Sequence, residues 1–580
     1  MAAKTGETDS ISLAIVGSGG AGALTTGAML LEIAGKCGLY GMMTRSVGPQ
    51  IRGGEAAALV RLSSEPVGCM DDVFDLLIAI DWRKADRFAG ELALTSQSLV
   101  IGDPEGGDLP DAFKVEGATI HDVPLKELSA EITGGRPNMV ALGLACALLG
   151  LPEETIFEVM QVKLHAKGES ALVASRVGIE AGFVAAADID HPVQKQAKKP
   201  SGAKRWMISG NEAAGLGAVR GGVRFVAAYP ITPATEVLEW LAPALLKVGG
   251  VLVQAEDELA SINMIIGASF GGKPSLTATS GPGLALMVES LGLATAAEMP
   301  IVVIDVMRGG PSTGIPTKSE QSDLNIAVNG CHGDAPHIVV APLSIADCMF
   351  TTQWAVHLAE AMQVPAIVLS DQFLGQTRAL IDPPADVAFI AQRQVAEVEP
   401  ENAYRRYAVT SSGVSAMALP GTAGGQYTAD GLTHNEKGLP SGNAGDHASQ
   451  LDKRRTKLEA FNYGDHWGEV DGDGRGETAI ITWGSLSGAA REAAHRLNAQ
   501  GVKTRLIAQR LLAPFPETEL VATLEGVKRA LVVEQTHSGQ FHRYLRAMCD
   551  LPGDVYAYHR PGPLAIGPDE IVNAVLNWRS

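Results

Sequence analysis

Thr232, Glu258 and Arg308 stand in places that suit the capture and activation of a small carboxylate. Thr232 lies in Tyr229-Pro230-Ile231-Thr232-Pro233, between a strand-like run at 224–228 and a helix-like run at 234–247. Pro230 ends the strand, because proline cannot donate to a sheet ladder. The pattern predicts Thr232 as the helix N-cap and Pro233 as the first helical residue. Such a helix start offers free N–H groups to an anion; an ordinary capped βα turn has the same pattern. Glu258 follows Val251-Leu252-Val253-Gln254, which reads as a buried parallel strand. It opens a helix in which Leu259, Ile262, Ile265 and Ile266 recur at helical spacing. Glu256 and Asp257 crowd the same first turn, as the helix dipole favours. Beside an apolar face, Glu258 is placed to share a proton with a heteroaromatic nitrogen. Arg308 closes the run 301–307, read as a continuous apolar strand, before Gly309-Gly310-Pro311 breaks the chain. Ligands of open α/β sheets bind outside the carboxyl ends of the strands. A guanidinium there can grip a carboxylate through two parallel hydrogen bonds. A structural ion pair with an acid at 256–258 is the other reading of Arg308.

The elements that must position these residues are those of repeated α/β units. Near the N-terminus a strand at 11–16 leads into Gly17-Ser18-Gly19-Gly20-Ala21-Gly22 and an apolar helix from 23 to about 34. Glycines there permit a tight turn and close approach of backbone N–H groups to phosphate. A dinucleotide site also wants an acid at the end of the next strand. The corresponding Gly41-Met42-Met43-Thr44-Arg45 has none, which argues against NAD or FAD. Towards the C-terminus, strands at 478–483, 503–507 and 530–534 alternate with helices at about 488–500, 516–526 and 541–550, predicting a parallel sheet. The intervening 395–476 reads as polar and irregular. His434-Asn435-Glu436 and Lys453-Arg454-Arg455 lie within it; the His, Asn and Glu could line a site, and a solvated turn is their plainer reading.

Composition bounds the rest. The 580 residues suggest three or four domains. With 46% hydrophobic and 19% charged residues the chain is well cored, and its net charge of −19 argues against nucleic-acid binding. The basic run from Lys195 to Arg205, with Pro192, Pro200 and Gly202, reads as an interdomain linker. No segment has the apolar length of a membrane helix, and the polar N-terminus lacks an apolar signal region; a cytoplasmic location is expected. The six cysteines are scattered with no C-x-x-C pair, so buried free thiols are expected and no iron–sulfur cluster. No metal site is expected on this chain. Gly472-Asp473-Gly474 with Asn498 imitates a metal–diphosphate motif, but it precedes an apolar strand instead of following one.

The stretch from about 206 to 390 resembles the pyrimidine-binding domain of 2-oxoacid:ferredoxin oxidoreductases, and the likeness extends over nearly the whole chain. Tyr229–Pro233 looks like that family's YPITP motif. Glu258 with Gly267, and Arg308 with Asp323, fall where the family keeps a thiamine-contacting glutamate and a substrate-carboxylate arginine. The run from Arg308 to Lys318 looks most like 2-oxoglutarate members whose gamma and alpha subunits are fused. The resemblance implies an α/β multidomain protein: a gamma-type domain at 1–190, a linker at 191–205, a doubly wound pyrimidine-binding domain at 206–394, the irregular 395–476, and a transketolase C-terminal-like parallel domain at 477–580. It implies that Glu258 holds the aminopyrimidine of thiamine diphosphate, while Arg308 and Thr232 bind the substrate carboxylate. Gly19, Gly20 and Arg52 are expected to bind cofactor; Arg52 lies in the glycine-rich segment 46–54, which resembles the family's gamma domain that helps place coenzyme A, the co-substrate, and a glycine-rich structural turn is the other reading of 46–54. The implied partners are ferredoxin and a beta subunit carrying the Mg2+–diphosphate site and a [4Fe–4S] cluster, in a dimer of heterodimers. A 2-oxoglutarate pocket needs an anchor for the distal carboxylate, from Lys318 or from the partner; pyruvate or a branched-chain 2-oxo acid as substrate, and a non-catalytic assembly subunit, are the alternatives.

Overall fold

The computed structural model describes residues 10–48, 54–191, 203–398 and 404–578, which fall into two compact units. The first unit gathers the described residues up to Ser209 with Thr377–Ala385 and Ile566–Glu570. Its eight-stranded sheet runs Thr119–Asp122, Leu99–Gly102, Leu76–Ala79, Ser10–Gly17, Ala56–Ser63, Tyr40–Val47, Arg378–Ile381, Trp206–Ser209. The first four strands are parallel, and every later pairing is antiparallel. Alternate residues of Ser10–Gly17 enter opposite cores, as the period of two requires. Leu13 and Ile15 join residues of the helices Ala23–Lys36 and Pro137–Leu148; Ala14 and Val16 join Phe74, Trp82 and Phe113. Coverage on both faces explains why this strand reads as an unbroken apolar run. The boundary expected at 206 is crossed, because Trp206–Ser209 pairs with Arg378–Ile381 in this sheet. Pairing between segments so distant in sequence leaves no local signal.

The second unit holds two sheets. The seven-stranded one runs Leu511–Ala513, Ile338–Val340, Pro365–Asp371, Ile301–Met307, Ser275–Thr279, Phe225–Ala228, Val251–Gln254. All its pairings are parallel except that of Leu511–Ala513. Val251–Gln254 is an edge strand with Val251 and Gln254 exposed, not the buried strand its composition predicts; a short apolar run does not encode edge or centre. The chain steps from Phe225–Ala228 outward to Val251–Gln254, then back across to Ser275–Thr279. The order therefore reverses between Phe225–Ala228 and Ser275–Thr279, which makes that crevice the topological switch point. The five-stranded sheet runs Gly468–Gly472, Thr504–Gln509, Thr478–Trp483, Arg529–Glu534, Asp554–His559, and is parallel apart from its first strand.

The stretch expected to be irregular contains a 16-residue helix, Ala444–Glu459, capped by Asn443 through Gly445 and Asp446. Hydrophobic periodicity could not reveal it. Its buried face is Gln450, Lys453, Arg454, Lys457 and Leu458, almost wholly polar. Those cations converge on Glu298, which is fully buried, with Lys453 Nζ and Lys457 Nζ each 2.6 Å from its carboxylate and Arg406 3.8 Å away. Glu298 has φ 52°, just past the helix Gly281–Ala296, where glycine is the usual occupant. Glutamate stands there because its side chain anchors the polar helix.

Candidate active site

The sheet edge at the switch point is built from four strand ends. After Phe225–Ala228 the helix begins two residues later than expected: it spans Thr235–Lys247, with Ala234 at the cap position and no side-chain cap. Thr232 is therefore not the N-cap. Its carbonyl accepts from Arg308 Nη1 at 2.5 Å, and the Pro233 carbonyl accepts from Asn211 Nδ2 at 2.9 Å. These two side-chain donors hold the turn open ahead of the helix. After Val251–Gln254, Asp257 caps the helix Glu258–Phe270 through the Ala260 N–H at 2.7 Å. That frees Glu258, the first helical residue, from any capping task. Glu258 is only 7% exposed, and among the described residues its carboxylate has no hydrogen-bond or ion-pair partner.

After Ser275–Thr279 the chain turns through Ser280 into the helix Gly281–Ala296. A Cβ on Gly283 would lie 2.7 Å from Glu258 Cγ and 2.8 Å from Oε1, so glycine here lets the carboxylate lie against the helix start. A Cβ on Gly281 would meet both carboxylate oxygens of Asp323 at 2.6–2.7 Å. The same helix start thus carries Glu258 on one side and Asp323 on the other.

Arg308 follows Ile301–Met307 and is 7% exposed. Its Nη1 is bound to Thr232 and its Nε meets no acceptor. Neither Glu256, Asp257 nor Glu258 pairs with it, so the structural ion pair considered from sequence does not form. Ser322 Oγ donates to the Arg308 carbonyl at 2.8 Å and lies 3.1 Å from Asp323 Oδ1. The loop between is tied to the five-stranded sheet. Gln321 Nε2 donates to the Trp483 carbonyl, Gln535 N–H to Gln321 Oε1, and Gln540 Nε2 to the Ser322 carbonyl, at 2.8–2.9 Å. Asp305, within the strand, is fully buried with both oxygens unmet by any N–H or O–H donor. It escaped the sequence reading, which took 301–307 as uniformly apolar. One charge inside an otherwise apolar run was the available signal, since a lone buried carboxyl is rare. Asn211 gave no signal at all.

In the first unit the predicted phosphate loop is a real turn. Gly20 and Gly22 have φ 89° and 91°, a region L side chains rarely adopt. Ser18 N–H and Oγ both donate to Asp81, at 3.0 and 2.7 Å. Burial pushes the Asp81 carboxyl up, but the bonds from Ser18 and Arg83 hold it below its ordinary value. A cavity of about 580 Å3 opens over Gly19 and Gly20, lined also by Arg83, Lys126, Arg136 and Lys167. These four cations are dispersed along the sequence, and no motif announces them. Arg52 lies outside the described residues, and Lys318 is half-buried in the loop after Arg308.

Gly472-Asp473-Gly474 sits at the turn after Gly468–Gly472. Asn498 Nδ2 and Oδ1 are both spent on the Thr504 backbone, at 2.8 and 2.7 Å. That gives Asn498 a structural task.

Three segments match known families. Residues 216–453 match "Pyruvate flavodoxin/ferredoxin oxidoreductase, thiamine diP-bdg", 12–183 match "Pyruvate ferredoxin/flavodoxin oxidoreductase", and 476–562 match "Pyruvate:ferredoxin oxidoreductase core domain II". A 2-oxoglutarate synthase subunit KorA of Methanothermobacter marburgensis is 35% identical over 378 residues, covering 65% of this chain and 100% of that protein. The chain belongs to the 2-oxoacid:ferredoxin oxidoreductase family. It is an alpha subunit with a fused gamma part, of the thiamine-diphosphate-dependent, 2-oxoglutarate synthase-like kind. A 2-oxoacid:ferredoxin oxidoreductase alpha subunit of Saccharolobus solfataricus is 33% identical, covering 70% of this chain and 66% of its own. The solved 2-oxoglutarate:ferredoxin oxidoreductase of Magnetococcus marinus, bound to 2-oxoglutarate, coenzyme A and succinyl-CoA, matches with TM-score 0.91 and 36% identity, covering 98% of this chain and all of that one. The residues at the switch point fit a thiamine aminopyrimidine: a buried carboxylate without a partner beside a glycine that leaves room. Among the described residues no helix is long and apolar enough to cross a membrane.

Proposed function

We propose that this chain is half of the active site of a 2-oxoglutarate:ferredoxin oxidoreductase. The reaction converts 2-oxoglutarate and coenzyme A to succinyl-CoA and carbon dioxide, and passes two electrons to ferredoxin. Arg308 carries the reading: a buried guanidinium at a strand end, beside the switch point, whose Nε is unmet. The substrate C1 carboxylate takes that open side of the fork, and Thr232, held by the same arginine, bonds at the same end. Glu258 accepts a hydrogen bond from a ring N–H of the aminopyrimidine and so sets its tautomer. Thiamine diphosphate, when bound, supplies the carbanion equivalent that attacks the keto carbon and retains the electrons after carbon dioxide leaves.

The remaining parts come from a beta subunit that holds the diphosphate, Mg2+ and a [4Fe–4S] cluster. This chain's six cysteines are dispersed along the sequence and five are buried, so they offer no grouped ligands for a cluster. The assembly is a dimer of heterodimers in the cytoplasm. Coenzyme A places its phosphates over Gly19 and Gly20, with Arg52 assigned to the same ligand by resemblance and Arg83, Lys126, Arg136 and Lys167 supplying countercharge. Two tests apply to the complex reconstituted with its beta subunit. Across a panel of 2-oxo acids, kcat/KM is expected to be highest for 2-oxoglutarate; a preference for pyruvate or a branched-chain acid overturns the substrate. Arg136→Ala and Lys167→Ala are expected to raise KM for coenzyme A and leave KM for 2-oxoglutarate unchanged; the reverse pattern overturns the coenzyme assignment.

A further inference from the structure

We propose that Asp305 and Asp323 form a carboxyl pair holding one proton behind Arg308, and that capture of the substrate carboxylate by Arg308 draws a second proton onto the pair from solvent. The proposal rests on the assignment of Arg308 to the substrate carboxylate. It makes Asp323 a positioning and tuning residue for substrate binding, not a participant in bond making.

The geometry leads to the pair. Asp305 is fully buried, and neither of its oxygens meets an N–H or O–H donor. Asp323 Oδ2 is likewise buried and unmet, while Oδ1 has only the Ser322 hydroxyl. The two carboxyl groups act on each other in this buried pocket, and they can share a hydrogen bond only if one is protonated, since two carboxylates are acceptors only. Burial first, and the charge of Asp323 second, push Asp305 well above the usual carboxylate range. The proton therefore resides on Asp305, which donates to an anionic Asp323. Burial pushes Asp323 up to about 6, and Glu320 adds to the rise, against the pull of Ser322, Asp305 and Arg308.

The charged groups around the pair are few. Arg308 faces it from the same strand, and Glu320 from the loop. Glu258 lies across the start of the helix Gly281–Ala296, and the turn into that helix contributes no titratable side chain. Asp371 ends the neighbouring strand opposite Met307 and accepts from the Leu374 N–H at 2.9 Å. Among the described residues Arg308 is thus the nearby cation, and Asp323 sits close enough to act on it but makes no direct ion pair with it. A substrate carboxylate arriving on Arg308 brings a second negative charge into this low-dielectric edge. Like charges there disfavour each other's ionised forms, and proton uptake by Asp323 relieves the conflict. At high pH the proton is scarce, so binding weakens.

The test is the pH dependence of KM for 2-oxoglutarate in the reconstituted complex, from about pH 5.5 to 8.5. Both substrate carboxylates stay ionised there, so a change belongs to the protein. KM is expected to rise with pH above about 6, by up to about tenfold for each unit by which binding displaces the titration. In Asp323→Asn the rise should vanish. In Asp305→Asn the amide donates permanently to Asp323, and the rise should move to lower pH. A flat profile in the wild type, or an unaltered rise in Asp323→Asn, overturns the proposal. If Asp323→Asn does not assemble, an unmoved rise in Asp305→Asn does the same. Arg308→Ala separates the two levels: an unchanged KM there refutes the carboxylate assignment itself, whereas an Arg308-sensitive but pH-flat KM refutes only the carboxyl pair.

Discussion

At the scale of single residues, freedom from partners carries the meaning. Glu258 and Arg308 are both buried, and both lack the ion pair that would make them structural. Removing the Glu258 charge as Glu258→Gln should leave the complex assembled and cut turnover by about 10²–10³-fold, equivalent to roughly 2.7–4 kcal/mol, as for loss of one transition-state hydrogen bond. Near-normal turnover in a stably assembled Glu258→Gln complex would refute its role. Arg308→Lys keeps the charge and loses the planar fork, so it should raise KM for 2-oxoglutarate; Arg308→Ala should raise it further. Both should bind thiamine diphosphate normally in a cofactor titration. A normal KM combined with a much lower melting temperature would make Arg308 a structural residue. The type and spacing of these two residues were legible in the sequence. The dispositions of Thr232 and Asp305 were not. Thr232 has the sequence of an N-cap, but Arg308, 76 positions away, claims its carbonyl. Asp305 is hidden in an apolar strand, and its partner comes from a loop.

At the scale of elements, the parallel strands and glycine turns were readable because burial on both faces leaves continuous apolar runs. Ile301–Met307 and Thr478–Trp483 stand where the pattern placed them. The helix Ala444–Glu459 was not readable, because charges and not apolar side chains fix it to its surroundings. Glu298 is the anchor, so Glu298→Gln should strand two buried lysines and cost roughly 3–5 kcal/mol, measured by denaturant unfolding. Little or no loss would show that the cations find other partners. The pH dependence follows from two shifts of opposite consequence. Burial raises the Glu298 carboxyl, but Lys457, Lys453 and Arg406 outweigh it and hold the group far below its ordinary value. Its stabilisation is therefore present above the unfolded carboxylate range and lost as pH falls below it. Burial lowers Lys457 from 10.5 to about 7 against the pull of Glu298. Between those values the unfolded chain binds the extra proton, so this lysine makes stability rise with pH from about 7 to 10. Lys457→Met should flatten that rise in thermal melts; an identical slope would assign it elsewhere.

At the scale of the molecule, the proposed function gives the second unit one side of a reaction centre, and the first unit holds a cationic cavity over a glycine loop. The family could be read from three short motifs in the right order. The four cations of the cavity and the glutamines that clamp the Arg308 loop could not, since the fold gathers them from distant positions. The cysteines are dispersed along the sequence, and Asn498, which the sequence pairs with Gly472-Asp473-Gly474, is committed to the backbone of Thr504. The most direct measurement is succinyl-CoA formation from 2-oxoglutarate and coenzyme A, with thiamine diphosphate, Mg2+ and an artificial electron acceptor, by this chain alone and after addition of its beta subunit. No turnover alone and robust turnover with the partner is the expected result. Robust turnover by the isolated chain would contradict a divided active site.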